Sequence, residues 1–349
     1  MGAAAVLPRT VIRVPQSILG RSFHGADIVS STDTAERDGL RCRLPLPETV
    51  LRHRIDWTNT LVVTSIHLLA LLALVPAFFS WSGVAVCVAG IYVFGTLGMN
   101  LCYHRLLTHR GFKCSKRVEH ALAIIGVCCY QDTPARWVAA HRQHHEHADR
   151  QPDPHTPLVS FFWSHVGWLL VENRDLSQVT NWERYVRDIL RDPFYKALER
   201  NNRQAKILLA SAALFFLAGF IPVLAIGGAL SEAATFGASL LIWGVFVRTV
   251  IVWHITWSVN SVTHLWGYRN YATDEGSRNN LLIGFVSNGE GWHNNHHADQ
   301  RSAKHGHRWW EVDVTYLTLR AMAALGLAHA IVMPISQRVA QPQPDPSQQ

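Results

Sequence analysis

Four apolar stretches, at about residues 57–79, 81–103, 207–230 and 234–259, dominate the sequence. Each has the roughly 20 residues that a helix needs to cross about 30 Å of hydrocarbon. The connections at 80–82 and 231–232 are so short that each pair must form a hairpin and return to its starting side. Charge agrees with this pairing. No Lys or Arg occurs from Trp57 through His104 or from Ile207 through Val247, whereas Arg52, Arg54, Arg105, Arg110, Lys113, Arg200, Arg203 and Lys206 flank the other ends. Basic residues favour the cytoplasmic side, which places the N-terminus, residues 104–206 and residues 260–349 there. The expected fold is an all-α integral membrane protein, with four transmembrane helices in two hairpins under a cytosolic helical cap.

Only 16% of the 349 residues are charged, against about a quarter in soluble domains, which counts against a soluble bundle. The net charge of +7 belongs with the cytoplasmic loops, not with nucleic-acid binding. The six cysteines form no CxxC pair, which fits reduced thiols. Residues 1–50 carry no sustained period and read as a poorly ordered leader without the apolar core of a signal peptide. A transit peptide stays open, because Arg9, Arg13 and Arg21 precede the first acid, Asp27. The working domain is 51–330, and 331–349 is expected as a disordered tail. The apolar run 121–130 is too short to cross and reads as an interfacial or buried helix. Arg248 and His254 lie inside the fourth stretch, where ionisable residues are functional candidates, although Arg248 is close enough to the cytoplasmic end to snorkel.

The 20 histidines are concentrated in three patterns: His104-Arg-Leu-Leu-Thr-His109, His141-Arg-Gln-His144-His145 and His293-Asn-Asn-His296-His297. Helical residues three and four apart share a face, so each HxxHH run is a pincer of imidazoles. Imidazole suits Fe, Zn, Cu and Ni. A mononuclear site rarely takes more than four protein nitrogens, so eight clustered histidines point to two metal ions. Asn260 and His264, four apart just past the fourth stretch, are further candidates. All of these groups are expected on one membrane face. His155, His305 and the remaining histidines fall outside the pattern and read as structural. Asp149, Asp153 and Glu290 flank the patterns, either orienting imidazoles from behind or sitting on a solvated surface.

The ordered set HxxxxH, HxxHH, NxxxH and HxxHH resembles the membrane fatty acid desaturase family in its delta-9, stearoyl-CoA desaturase-like branch. The surrounding segments agree: YHRLLTHRGF (103–112), WVAAHRQHHEHAD (137–149), DPHTP (153–157), FFWSHVGWLL (161–170), NSVTHLWGYR (260–269) and GEGWHNNHHA (289–298). The last two are similar to bacterial and cyanobacterial members, and the likeness covers about 55–325. The resemblance implies that His104, His109, His141, His144, His145, His264, His293, His296 and His297 ligate two irons, with Asn260 reaching one through water. It also implies a bent apolar acyl tunnel whose kink matches Gln131, Trp137, Thr256 and Trp257. In the animal acyl-CoA branch an Arg-Lys pair near the CoA phosphates follows SHVGWLLV. Here those positions hold Glu172 and Asn173, which favours an acyl-lipid or acyl-carrier-protein substrate over acyl-CoA.

The implied activity is O2-dependent desaturation of a long acyl chain, with regiochemistry set by tunnel depth. Cleaving an unactivated C–H bond is beyond side-chain acid–base chemistry, so the metals must carry it. The sequence contains no cytochrome b5-like haem motif and no cysteine set for an iron–sulfur cluster. Electrons are therefore expected from a separate ferredoxin or cytochrome b5-like donor with its reductase. A hydroxylase on the same scaffold is the alternative enzyme. A membrane metal carrier or sensor is the non-enzyme alternative, disfavoured because the first three apolar stretches lack the polar path it needs.

Overall fold

The computed structural model describes residues 44–338. It is mostly helical, with four helices long and apolar enough to cross a membrane: α1 (Trp57–Leu74) and α2 (Trp81–Thr108), then two more beyond residue 200. Between them lie α3 (Lys116–Val127), α4 (Pro134–His147) and α5 (Val179–Leu190). The second pair is α6 (Arg203–Ala225) and α7 (Leu230–Ser261). The short helices α8 (Leu281–Val286) and α9 (His293–Ala298) follow, and α10 (Val314–Ala324) comes last among the elements used below.

The helix starts obey local chemistry. Asp56 caps α1 by accepting the Asn59 N–H (3.0 Å), and Ser80 caps α2 by accepting that of Gly83 (2.9 Å). Thr133 with Pro134 behind it opens α4. The second connection differs from expectation. Ser231 and Glu232 lie in the first turn of α7, and the chain reverses at 226–229 instead. Gly227 takes φ +84°, which an L side chain rarely adopts, and the Glu232 carboxylate accepts the Ala229 N–H at 3.0 Å.

α7 is the hub, packing against α1, α2 and α6. Small residues permit its closest contact: a Cβ added to Gly219 on α6 would lie 2.9 Å from the Gly237 Cα on α7. That is how membrane helices gain packing without a hydrophobic drive between them. Arg248 does not snorkel. It is fully buried, donating to the Gly244 and Cys128 carbonyls (3.0 and 2.9 Å) with its guanidinium 4.1 Å from the Phe94 ring centre.

Two short antiparallel ladders modify the all-α expectation. β1 (Val50–Ile55) pairs with β3 (Val171–Asn173), and β2 (Lys113–Cys114) pairs with β4 (Ala328–His329). The leader and tail expected at 1–50 and 331–349 lie mostly outside the described residues. Their described edges are built into the fold: Val50 is buried opposite Asn173, and Val332 exchanges backbone hydrogen bonds with Gly111 and Ala303. Among the described residues the five cysteines are free thiols.

Candidate metal centre

The ends of α2 and α7 meet α4 and α9 at a buried cluster of histidines. In one group, ring nitrogens of His104, His109, His141, His145 and His296 all lie within 4.8 Å of one another; in a second, those of His144, His264, His293 and His297 do so. These are the nine histidines singled out from the sequence, but they are sorted differently. Each HxxHH run is divided. His141 and His145 join the first group while His144 crosses to the second, and His293 and His297 join the second while His296 crosses to the first. A one-face pincer is therefore the right description only for the residues four apart.

The HxxxxH pair needs a different explanation, since positions five apart diverge on an α-helix. From Ile91 to Thr108, α2 widens to a π-helical pitch. The His109 N–H bonds to the His104 carbonyl five residues back at 3.2 Å. That i→i+5 pattern brings the two rings onto one side, 4.8 Å apart.

The spacing suits metal ions. The Nε2 atoms of His104 and His296 are 3.1 Å apart, those of His296 and His145 3.0 Å, and those of His145 and His141 3.1 Å. In the second group His264 to His293 and His293 to His297 are both 3.1 Å. Nitrogens about 2.1 Å from a shared centre, at right angles, would be about 3.0 Å apart. His109 Nε2 is buried without a hydrogen-bond partner, which suits a nitrogen that binds metal.

Carboxylates set the rings from behind. His104 Nδ1 lies 2.6 Å from Glu290, His144 Nδ1 3.0 Å from Asp153 and His264 Nδ1 3.0 Å from Asp149. An Nδ1–H donated outward leaves the Nε2 lone pair facing the centre. Arg105 is fully buried and holds Glu290 (2.8 Å) and Asp313 (2.9 Å) together. Burial alone would raise the Glu290 pKa, but Arg105, His305 and His104 outweigh it and keep that carboxyl well below its ordinary value. Burial, reinforced by neighbouring imidazoles, pushes His109, His141, His145, His293, His296 and His297 well below the ordinary histidine range. His264 goes the other way: burial opposes its charge, but Asp149 and Glu275 raise it to about 9. Neutral imidazole is the form that binds metal, so most of the cluster is poised for it.

Two histidines set aside in the sequence belong to this neighbourhood. His155 packs on His144 with ring centres 4.4 Å apart, and His305 lies 3.2 Å from Glu290 and packs on His296 at 4.5 Å. Both come from loops with no helical period. The Asp153-Pro-His155 spacing was the one available signal, because Asp153 serves His144 and flanks His155. His147 turns away toward Glu146.

A cavity of about 550 Å³ opens onto this centre, within the size range of ligand pockets. His104, His141, His293 and Asn260 line it, as do Gln131, Trp137, Thr256 and Trp257. Gln131 donates to Thr256 Oγ1 at 3.1 Å, and Trp137 stacks on His141 at 4.9 Å. Asp56, Arg136, Asn173 and Gln204 supply a polar portion of the wall.

Residues 79–331 match the model of the fatty acid desaturase family. The chain is 40% identical to the sn-1 stearoyl-lipid 9-desaturase of Anabaena variabilis, over 80% of this chain and 95% of that protein. It is 39% identical to the sn-2 palmitoyl-lipid 9-desaturase of Nostoc sp. (strain 36), over 82% and 93% of the two chains. It is 36% identical to the icosanoyl-CoA 5-desaturase of Limnanthes douglasii, over 80% and 73%. With four helices long and apolar enough to cross a membrane, histidine groups spaced for metal and a partly apolar cavity opening onto them, the chain belongs to the fatty acid desaturase family, an integral membrane oxidoreductase.

Proposed function

We propose that the chain is an acyl-lipid delta-9 desaturase, which uses O2 to place a cis double bond in a long saturated acyl chain. The observation that carries this reading is the opening of the cavity onto both imidazole groups, through His104, His141 and His293. His104, His109, His141, His145 and His296 would hold one iron ion. His144, His264, His293 and His297 would hold a second, and Asn260 would reach one of the two through a water. Bound iron supplies what side chains cannot, the activation of O2 to take hydrogen from an unactivated methylene.

The chain's own residues do the positioning. The apolar wall excludes water and aligns the acyl chain, and the Gln131–Thr256 pair with Trp137 and Trp257 bends it so that two neighbouring carbons face the centre. The relatives named for lipid-bound acyl chains, together with Glu172 and Asn173 where a phosphate-binding pair is absent, favour a lipid ester over a CoA thioester. The reaction consumes two electrons and two protons for each double bond. A separate ferredoxin or cytochrome b5-like protein with its reductase supplies the electrons. Basic residues flanking the helices favour a two-hairpin arrangement with both termini and the metal centre on the cytoplasmic side.

Expression in a host without its own desaturase tests this. The expected product is an acyl chain two hydrogens lighter, with its double bond at carbon nine, recovered in membrane lipid. Gain of one oxygen would replace this reading with hydroxylation. His297→Ala should drop the product to background, and undiminished desaturation by that variant would overturn the assignment.

A further inference from the structure

Three histidines outside the metal centre form a line of their own. His67 lies ten residues into α1, about 15 Å along its axis from Trp57, and His254 lies seven residues before the end of α7. His165 comes from a single π turn, Trp163–Gly167, whose neighbours Phe161 and Phe162 are exposed. Imidazoles at membrane depth are costly and are retained where they do something.

Their hydrogen bonds run in series. His67 Nδ1 donates to the Val63 carbonyl at 2.7 Å. His67 Nε2 meets His254 Nε2 at 3.2 Å, His254 Nδ1 meets His165 Nε2 at 3.0 Å, and His165 Nδ1 meets Ser261 Oγ at 3.0 Å. Because the Val63 carbonyl can only accept, His67 Nδ1 carries that ring's proton, and with three neutral rings His165 donates to His254 and His254 to His67. The Ser261 hydroxyl lies within reach of both His165 Nδ1 and the Trp257 carbonyl, at 3.0 and 2.8 Å, and its one proton serves one of the two at a time. The series uses both nitrogens of His254, so it is a hydrogen-bonded tie and not a chelate. It joins α1, α7 and the π turn.

What the line encloses is Trp257. That indole is 3% exposed, with ring centres 6.5 Å from His67, 5.2 Å from His254 and 5.8 Å from His165. Trp257 also lines the acyl cavity, along with Val63, whose carbonyl is His67's partner, and Trp168 beyond the π turn. We propose that His67, His254 and His165 are positioning residues, a clasp within the membrane that fixes Trp257 in the cavity wall and so sets which carbons meet the metal centre. The proposal rests on the desaturase reading and extends it to residues that touch neither metal nor substrate.

The middle position gives the sharpest test. His254 must accept on one side and donate on the other. Asn can do both, whereas Phe fills the space and does neither. The full chain, carrying His254→Asn, His254→Phe, His67→Leu or Trp257→Ala, is expressed in a host lacking its own desaturase. Double-bond position is read by mass spectrometry, and metal content checks that each variant is assembled. His254→Phe, His67→Leu and Trp257→Ala should each raise the share of misplaced double bonds by about tenfold, within what an ångström-scale shift of reacting carbons produces. His254→Asn should keep the wild-type position. A purely structural role would lower yield without moving the bond. Unchanged positions in His254→Phe and His67→Leu alongside a shift in Trp257→Ala would overturn the clasp and leave the desaturase reading intact. Unchanged positions in Trp257→Ala would overturn the clasp and the assigned wall together. No unsaturated product from the unaltered chain would overturn the desaturase reading itself.

Discussion

Glu290 shows how much of the centre depends on groups that touch no metal. It takes the His104 Nδ1 side at 2.6 Å and is held by Arg105 at 2.8 Å. Replacing it with Gln keeps the shape but removes the charge that Arg105 and His104 face. Metal retention should fall by about 10- to 100-fold, as for other carboxylates behind ligand histidines. Metal analysis of the purified Glu290→Gln variant under a graded chelator checks this. The conservative Glu290→Asp should show a loss as well, because the shorter side chain cannot reach both partners. At this scale the sequence was partly legible. Residues three and four apart on a helix announce a shared neighbourhood. His155 and His305 did not, because a loop has no period from which to read its direction.

Among the helices, the tight crossing of α6 and α7 is sensitive to substitution. Gly219→Leu would force a side chain into the Gly237 backbone, where a lone Cβ already comes to 2.9 Å. Overpacking of this kind costs about 1–3 kcal/mol, so thermal unfolding in detergent should begin several degrees lower. The same substitution at Gly227, where nothing lies within 4 Å, should be felt only through its positive φ. The four apolar spans were readable from length and charge alone. Their ends were not: Glu232 looks like a turn residue by composition, yet serves as a cap inside α7. The π pitch of α2 was equally hidden, since nothing in the apolar run signals a wider turn. It is nevertheless what lets His104 and His109 point together.

Across the whole molecule, the centre ties together segments nearly 200 residues apart, since His104 meets His296 at a separation of 192. A metal bound there stabilises the folded arrangement by mass action, by about 2.7 kcal/mol when free metal is at 100 times its dissociation constant. Stripping metal with a chelator should therefore lower the unfolding temperature of the histidine-bearing region while the apolar helices keep their helical signal by circular dichroism. Identical melting with and without metal would show that the imidazole groups hold none.

The crossing of His144 and His296 between the two groups has a further consequence. Because each HxxHH run feeds both groups, neither group can be redesigned without moving a helix that carries the other. A shift of α4 or α9 displaces histidines of both groups at once. The two groups are yoked by the two helices they share.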